Sequence, residues 1–180
     1  VSVSNGRAPA LLEQAEAATK LRSDIETLTT YAVAKYAGYT EDANTAARNY
    51  SRLLRTVQDD PWLAEQGIFA VLRIGEVERA IALAERLPAD TLIQTELPRL
   101  LLAVDALKQD ERNRELSYLT TPWSNDYHAR LARSLAAWSV LEDDPSAAVN
   151  LQQFAGGEEG LFALMGQTLG AIMRANIGDI

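Results

Sequence analysis

The chain has 180 residues, of which 47% are hydrophobic and 7% aromatic, with alanine and leucine dominant. This composition suits one domain or a short array of closely packed helices, and it excludes a wholly disordered chain. The formal net charge of −8, from 17 basic and 25 acidic residues, argues against a general nucleic-acid binder or a polybasic membrane-surface protein. The absence of cysteine excludes disulfides, thiolate metal sites and cysteine nucleophiles.

The first residues carry no clear targeting motif. Residues 1–9 are predicted to be flexible, and residues 10–180 are predicted to form one helical domain. Val1–Ala10 lacks the apolar core of a signal peptide, which leaves two interpretations: a mature end left by signal-peptide removal, or a chosen chain boundary. No apolar run approaches the roughly 20 residues that cross a bilayer, so no direct membrane insertion is predicted.

Apolar residues recur at helical spacing from Pro9 to about Thr30. The pattern predicts an amphipathic helix that caps the N-terminal end of the domain. Its apolar positions are Leu11, Leu12, Ala15, Ala18, Leu21, Ile25 and Leu28.

The centre of the chain carries an internal repeat, seen at three turns that each lead into a helical segment. Aligning the turns on the alanine that follows them gives Ala46, Ala80 and Ala148, at intervals of 34 (80 − 46) and 68 (148 − 80) residues. Because the second interval is twice the first, a further member is expected near position 114. The spacing predicts four helix pairs, called units one to four, near residues 27–60, 61–94, 95–128 and 129–160.

Each unit is expected to bring two helices into close contact. In unit one, Ala46 lets the second helix approach the first, and Tyr50, four positions later, fills the space beside it. Asp60–Pro61 predicts a helix start, with the aspartate as N-cap and the proline at the first helical position. Asp144–Pro145 repeats this pattern in unit four.

Units two and three depart from the pattern. Arg114 stands where unit three should have a small residue, so that unit is expected to pack differently or more loosely. In unit two, Ile68 occupies a usually small position and Gly67 lies beside it, which allows the register to differ by one residue. Pro98 is expected in the first turn of its helix, after Thr95 as N-cap.

The end of the chain is predicted to form a turn and a last helix. Gly156–Gly160 is assigned to a turn, because its two glutamates and the lack of a following Lys-Ser/Thr argue against a phosphate loop. Residues 161–177 are predicted to form a helix that packs on unit four. Its apolar positions are Leu161, Leu164, Leu169, Ile172 and Met173.

Four short stretches support the repeat in addition to the 34-residue spacing. They are Asp59–Pro61, Gly75–Ala80, Leu102–Leu107 and Ala137–Trp138. With them, the chain from about Thr27 to Gly178 resembles a tetratricopeptide-repeat protein, in particular the divergent arrays of alphaproteobacterial hypothetical proteins. The resemblance implies an all-α, right-handed solenoid of antiparallel helix pairs whose concave face binds a peptide or protein. Many such proteins are exported, so it also favours the periplasm or cell envelope over the cytoplasm.

The chain offers few candidates for catalysis or metal binding. His128 is the only histidine, and closeness along a loop to Ser124, Asp126 and Tyr127 does not make a triad, so a structural or solvent-facing role is predicted. The clustered aspartates are assigned to helix caps and turns rather than to a metal. They are Asp42, Asp59, Asp60, Asp143 and Asp144. We therefore predict no catalytic residue, no metal site and no cofactor.

Five large aromatic residues could either anchor a partner or fill the core: Trp62, Trp123, Trp138, Phe69 and Phe154. Trp138 and Phe154 are assigned to core and inter-unit packing, whereas Trp62, directly after Pro61, is expected to be exposed.

In the resembled family, ligands lie along the concave face formed by the first helix of each pair. Projecting the 34-residue register onto that face gives a mixture of aromatic residues, five cations and two acids, in a chain whose total charge is negative. The predicted partner-binding residues are Tyr31, Lys35, Tyr39, Trp62, Glu65, Phe69, Arg73, Glu96, Arg99, Arg130 and Arg133. Such a groove suits an extended or helical peptide that bears carboxylates. The alternative is that these are ordinary solvated positions.

Three functional interpretations follow. The leading one is a non-catalytic scaffold or adaptor that binds a protein or peptide and no nucleic acid. The second is self-assembly into a homo-oligomer through the first or last helix. The third, more remote, is an enzyme on a helical scaffold, which would need converging titratable groups that one histidine and no cysteine hardly provide.

Overall fold

The computed structural model describes residues 7–156, 160–176 and 178, and in this part the chain forms helices and no strand. The all-α prediction is confirmed. The helices are α1 (Arg7–Tyr39), α2 (Ala43–Leu53), α3 (Pro61–Arg73), α4 (Val77–Ala84), α5 (Ala89–Gln94), α6 (Leu97–Lys108), α7 (Arg112–Leu119), α8 (Asp126–Val140), α9 (Pro145–Gly156) and α10 (Gly160–Asn176). Among them, no helix is both long enough and apolar enough to cross a bilayer.

Helix starts lie where aspartate caps were predicted. The Asp60 carboxylate accepts a hydrogen bond from Leu63 N (3.0 Å), with Pro61 at the first position of α3. Asp144 accepts from Ala147 N at 2.9 Å in the same way at the start of α9. Each cap satisfies a backbone N–H that has no partner inside its own helix. The prediction of cap roles for these residues is confirmed.

The largest part of the core lies between α1 and α4. Ala46 and Ala80 are fully buried in it, and the Tyr50 ring packs there as well. Gly67 on α3 faces α2 so closely that an added Cβ would lie 2.5 Å from Leu54 Cδ1. Gly67, and not Ile68, is therefore the small residue that permits close helix packing in unit two.

The N-terminal cap helix predicted over Pro9–Thr30 is not a separate element. No proline or glycine interrupts residues 10–37, so one continuous 33-residue helix runs from Arg7 to Tyr39. Arg7 to Pro9, predicted to be flexible, belong to this helix; residues 1–6 lie outside the described residues. Leu21, Ile25 and Leu28 are exposed, so this stretch of α1 does not bury its apolar face.

The C-terminal part follows the prediction only in outline. Met173 of α10 is buried against Ala137 and Ala148, and Trp138 packs at the same cluster as predicted. Leu161, Leu164 and Ile172 are exposed rather than packed on α9, which corrects the expected contact. Gly157–Glu159 of the predicted turn, and the Phe154 side chain, lie outside what the structure describes.

The start of unit three also differs from the prediction. A short additional helix, α5, precedes α6, so Glu96 takes the N-cap position in place of Thr95 and Pro98 lies in the first turn. In α7, Arg114 does not occupy the position of the buried alanines. Its guanidinium lies at the surface, where it pairs with Glu85 (3.0 Å) and Glu111 (2.8 Å).

The buried position in α7 is held by Glu115, one residue later. Ala46, Ala80 and Ala148 each lie three residues after the first residue of their helices, and Glu115 does the same in α7. It is 1% exposed, and neither carboxylate oxygen has a hydrogen-bond partner among the described residues. Desolvation raises the pKa of this carboxyl, although Arg112 opposes the shift. Helix α7 thus places an acid where α2, α4 and α9 have a methyl group.

We expect Glu115→Met to raise the free energy of unfolding by about 1–3 kcal/mol near neutral pH, because it removes a buried unsatisfied carboxylate while nearly keeping its volume. The raised pKa means that the native state disfavours the ionised form, so the cost exists above the ordinary pKa of 4.5 and disappears below it. Urea unfolding across this pH range should therefore show a gain that shrinks as the pH falls. Glu142→Met, at an exposed site, is the control; an equal gain from both variants would contradict the assignment.

Candidate functional site

An open cavity lies between α1 and α3, with α2 beneath it. It has a volume of about 270 Å³, close to the lower limit of ligand pockets in general. We call it the α1–α3 groove. Its lining residues are Lys35, Gly38, Tyr39, Ala46, Tyr50, Trp62, Gln66, Phe69, Ala70 and Arg73. Five of the predicted partner-binding residues line it, and a sixth, Tyr31, lies at its edge against Trp62.

Aromatic rings form the walls of the α1–α3 groove. The Tyr31 and Trp62 rings are tilted at 59° with centroids 5.9 Å apart. Tyr39, Phe69 and Trp62 expose 77%, 51% and 47% of their surface. Large aromatic side chains that remain exposed side by side are typical of contact surfaces, since burying them on binding is favourable. The prediction of an exposed Trp62 is confirmed.

The charge of the α1–α3 groove is opposite to that of the chain as a whole. Lys35 and Arg73 line it, and none of its lining residues is acidic. Neither cation forms an ion pair within the described residues, although Lys35 Nζ lies 5.8 Å from the Tyr31 ring centroid. The groove therefore offers two available positive charges beside apolar rings.

The remaining predicted residues do not extend this groove. Glu65 instead faces the start of α6, where its Oε1 accepts hydrogen bonds from the backbone N–H groups of Glu96 and Leu97 (3.2 Å for Leu97). A carboxylate at a helix N-terminus satisfies free N–H groups and interacts favourably with the helix dipole. Glu65 is therefore a cap provided by a neighbouring helix, and its carboxylate is occupied within the fold.

Glu96 likewise binds backbone N–H groups, in its case those of the segment before α8. Its Oε1 accepts from Ser124 N (2.5 Å), Ser124 Oγ (2.7 Å) and Asn125 N (3.1 Å), and its Oε2 lies 2.7 Å from His128 Nδ1. Burial alone would raise the pKa of this carboxyl, but the hydrogen bonds outweigh it and lower the pKa to about 2. Glu96 thus fixes the segment that leads into α8, and Asn125 then caps that helix.

Arg99 lies in the interior, which corrects its assignment to the partner-binding face. It is 2% exposed. Its guanidinium donates to the carbonyl oxygens of Thr95 (2.5 Å), Thr121 (3.1 Å) and Pro122 (3.1 Å), and it stacks 4.1 Å from the centre of the Trp123 ring. Desolvation lowers its pKa, while the charges of Glu96 and Glu65 oppose the shift. Arg99 ties the loop before α8 to α6 and is not available to a partner.

Ser124, His128 and Glu96 have the residue types of a catalytic triad but not its arrangement. Ser124 Oγ and His128 Nδ1 bind different oxygens of the same carboxylate, whereas a triad needs the serine to bind the histidine. The structural role predicted for His128 agrees with this geometry.

Two predicted partner-binding residues on α8 also lie away from the α1–α3 groove. Arg130 pairs with Asp126 at 2.9 Å, and Arg133 is exposed; neither lines the groove.

Sequence reasoning missed several residues of the groove. Gly38, Gln66 and Ala70 lie at the same helical spacing as the predicted residues, and small side chains among aromatic ones were the available indication of a cavity. The sequence pattern assigns Tyr50 only to packing. An added Cβ at Gly38 would meet no atom within 4 Å, so the space above it is open.

Comparison of the chain with family models, with curated proteins and with solved structures finds no match.

Proposed function

We propose that the protein is a non-catalytic interaction scaffold of the tetratricopeptide-like kind, and that its α1–α3 groove binds a peptide segment carrying carboxylates beside apolar side chains. The observation that supports this most directly is the pair of cations, Lys35 and Arg73, which lie among exposed aromatic rings and form no ion pair with any described residue. Carboxylates provide the complementary charge, and the rings provide apolar contact area.

The spacing of the helices supports the repeat. The second helices of the proposed units, α2, α4, α7 and α9, begin at residues 43, 77, 112 and 145. The intervals are 34, 35 and 33 residues (77 − 43, 112 − 77 and 145 − 112), close to the tetratricopeptide period. Contacts follow chain order, with α2 packing on α1 and α3, and α9 on α8 and α10. This is the pattern expected of stacked helix pairs.

The groove is shorter than the sequence suggested. Glu65, Glu96 and Arg99 are occupied within the fold, which leaves the positions contributed by α1 and α3. The site therefore suits one or two side chains of a peptide rather than a long segment lying along every unit. Recognition of this kind is dominated by a few anchors at the centre of the contact.

We expect the double variant Lys35→Glu/Arg73→Glu to lose at least about tenfold in affinity for acidic peptides, because two attractive contacts become repulsive. Selection of random dodecapeptides on the intact chain should enrich sequences that combine Asp or Glu with aromatic residues or leucine. Fluorescence anisotropy then measures the dissociation constants of the enriched peptides for each variant.

The matched control for this experiment is Lys20→Glu/Arg86→Glu, which makes the same change in net charge at exposed sites away from the groove. It should leave the affinity unchanged. Enrichment of peptides without acidic residues, no enrichment at all, or equal losses in both double variants would each reject the groove as an acidic-peptide site.

Self-assembly is a second candidate, and one observation favours it. The outer faces of α1 and α10 expose apolar residues at helical spacing, Leu21, Ile25 and Leu28 on α1 and Leu161, Leu164 and Ile172 on α10. Contiguous exposed apolar surface of this kind often marks an interface. Light scattering over a range of concentrations tests it, and a monomer at the highest concentration would exclude this candidate.

A further inference from the structure

The floor of the α1–α3 groove contains a tyrosine whose hydroxyl bonds to none of the residues that the structure describes. Tyr50 of α2 is only 5% exposed, and its ring packs in the main core. Its hydroxyl forms no hydrogen bond with any described residue, yet it is not sealed inside the protein. Because Tyr50 lines the groove, the groove is the solvent-filled space that this hydroxyl can reach.

A buried hydroxyl without a partner is unusual, because a polar group taken from water normally recovers a hydrogen bond inside the protein. The next residue shows the ordinary solution: Ser51 is also buried, and its Oγ donates to Ala47 O at 2.7 Å. Thr30 does the same on α1, donating to Glu26 O at 2.8 Å. Tyr50 has no equivalent bond, so its donor remains free for a molecule in the groove.

The polar groups around this hydroxyl are mostly donors. Lys35 and Arg73 can only donate, whereas the Gln66 amide and the Tyr39 hydroxyl can both donate and accept. Desolvation, and then the charges of Tyr31 and Tyr39, raise the pKa of Tyr50, so its phenol keeps its proton at neutral pH. A ligand that presents acceptors, and above all an anionic group, therefore complements this floor best.

We infer that the Tyr50 hydroxyl donates a hydrogen bond to the carboxylate of an acidic side chain bound between Lys35 and Arg73, and that it selects the acid over the amide. This inference rests on the proposed function and adds the specificity-determining residue to it. The two cations attract any anion, whereas a directed O–H donor at the floor fixes where the carboxylate oxygen lies. The peptide that fits best has one acidic side chain reaching the floor and an apolar neighbour against Trp62 or Phe69.

The test uses Tyr50→Phe and two peptides. The first is the most enriched acidic dodecapeptide from the selection on the intact chain; the second has the affinity-determining Glu or Asp replaced by Gln or Asn. The wild-type protein should prefer the acid, and Tyr50→Phe should reduce this preference by about fivefold, because the acidic peptide loses a charge-assisted hydrogen bond and the amide peptide only a weaker neutral one. The thermal unfolding midpoint should not fall, because the hydroxyl bonds to no residue in the described part of the chain.

Two further variants separate the failure of this inference from the failure of the proposed function. Gly38→Trp fills the open space of the groove and should abolish binding of both peptides, with Gly38→Ala as its small control. If Lys35→Glu/Arg73→Glu and Gly38→Trp remove binding while Tyr50→Phe leaves the preference for the acid unchanged, the role of Tyr50 is rejected and the groove stands. Equal weakening of both peptides by Tyr50→Phe would likewise reject a role in selection. Peptides that still bind Gly38→Trp would reject the groove itself.

Discussion

Arg99→Ala is expected to lower the free energy of unfolding by about 3 kcal/mol or more, the largest loss from any single substitution considered for this protein. The substitution leaves the carbonyl oxygens of Thr95, Thr121 and Pro122 without their donor. It also removes the planar group stacked on Trp123 and opens a cavity between α6 and the loop before α8. Urea unfolding followed by circular dichroism measures the loss.

Two other variants make this result specific. Arg133→Ala removes an exposed arginine and should change stability by no more than about 0.5 kcal/mol. Arg99→Lys keeps the charge but cannot bind several carbonyl groups in fixed directions, so it should retain only part of the stability. If Arg99→Ala and Arg133→Ala cost the same, the buried network would not support the fold as described.

The helices themselves were largely predictable, because their starts depend on neighbouring residues. A capping aspartate followed by proline acts within one turn, so α3 and α9 begin where Asp60–Pro61 and Asp144–Pro145 placed them. The register of unit three was not predictable by counting. The start of α7 lies 35 residues after the start of α4, one more than the period of 34. The alanine that would have revealed this shift is replaced by Glu115.

The proposed binding face was predictable only in part, for a related reason. Lys35 and Tyr39, and likewise Trp62, Phe69 and Arg73, lie on one face of their helices because their spacing is helical, and they meet in the α1–α3 groove. Helical spacing gives the face of the helix from which a side chain projects, but it does not give the position of the polar group at the end of a long side chain.

Glu65, Glu96 and Arg99 all reach across to another element. Glu65 contacts residues 31 and 32 positions later, and Glu96 contacts residues 28 to 32 positions later. Each carboxylate thus joins the first helix of one proposed unit to the segment that begins the next. Such contacts depend on the tertiary arrangement, and a single sequence offers no local pattern that predicts them.

The second prediction with a large effect concerns acid stability and follows from this connection. The carboxyl pKa of Glu96 is lowered from 4.5 to about 2 in the folded chain, as its hydrogen bonds with Ser124, His128 and Asn125 overcome burial. A lowered native pKa contributes stability above the unfolded value of 4.5, and this stability disappears as the pH falls towards 2. The linkage corresponds to at most about 3 kcal/mol.

Glu96→Gln should therefore be less stable than the wild-type protein by about 2–3 kcal/mol near neutral pH, and the difference should close as the pH falls through this range. The comparison isolates Glu96 because the other acidic residues titrate equally in both proteins. Hydrogen exchange should show the earliest opening at the start of α8, whose preceding segment Glu96 holds. Glu142→Gln, an exposed acid, is the control. If the loss of stability in Glu96→Gln stays constant with pH, the packing and neutral hydrogen bonds of the Glu96 side chain, and not its charge, would connect the start of α6 to the start of α8.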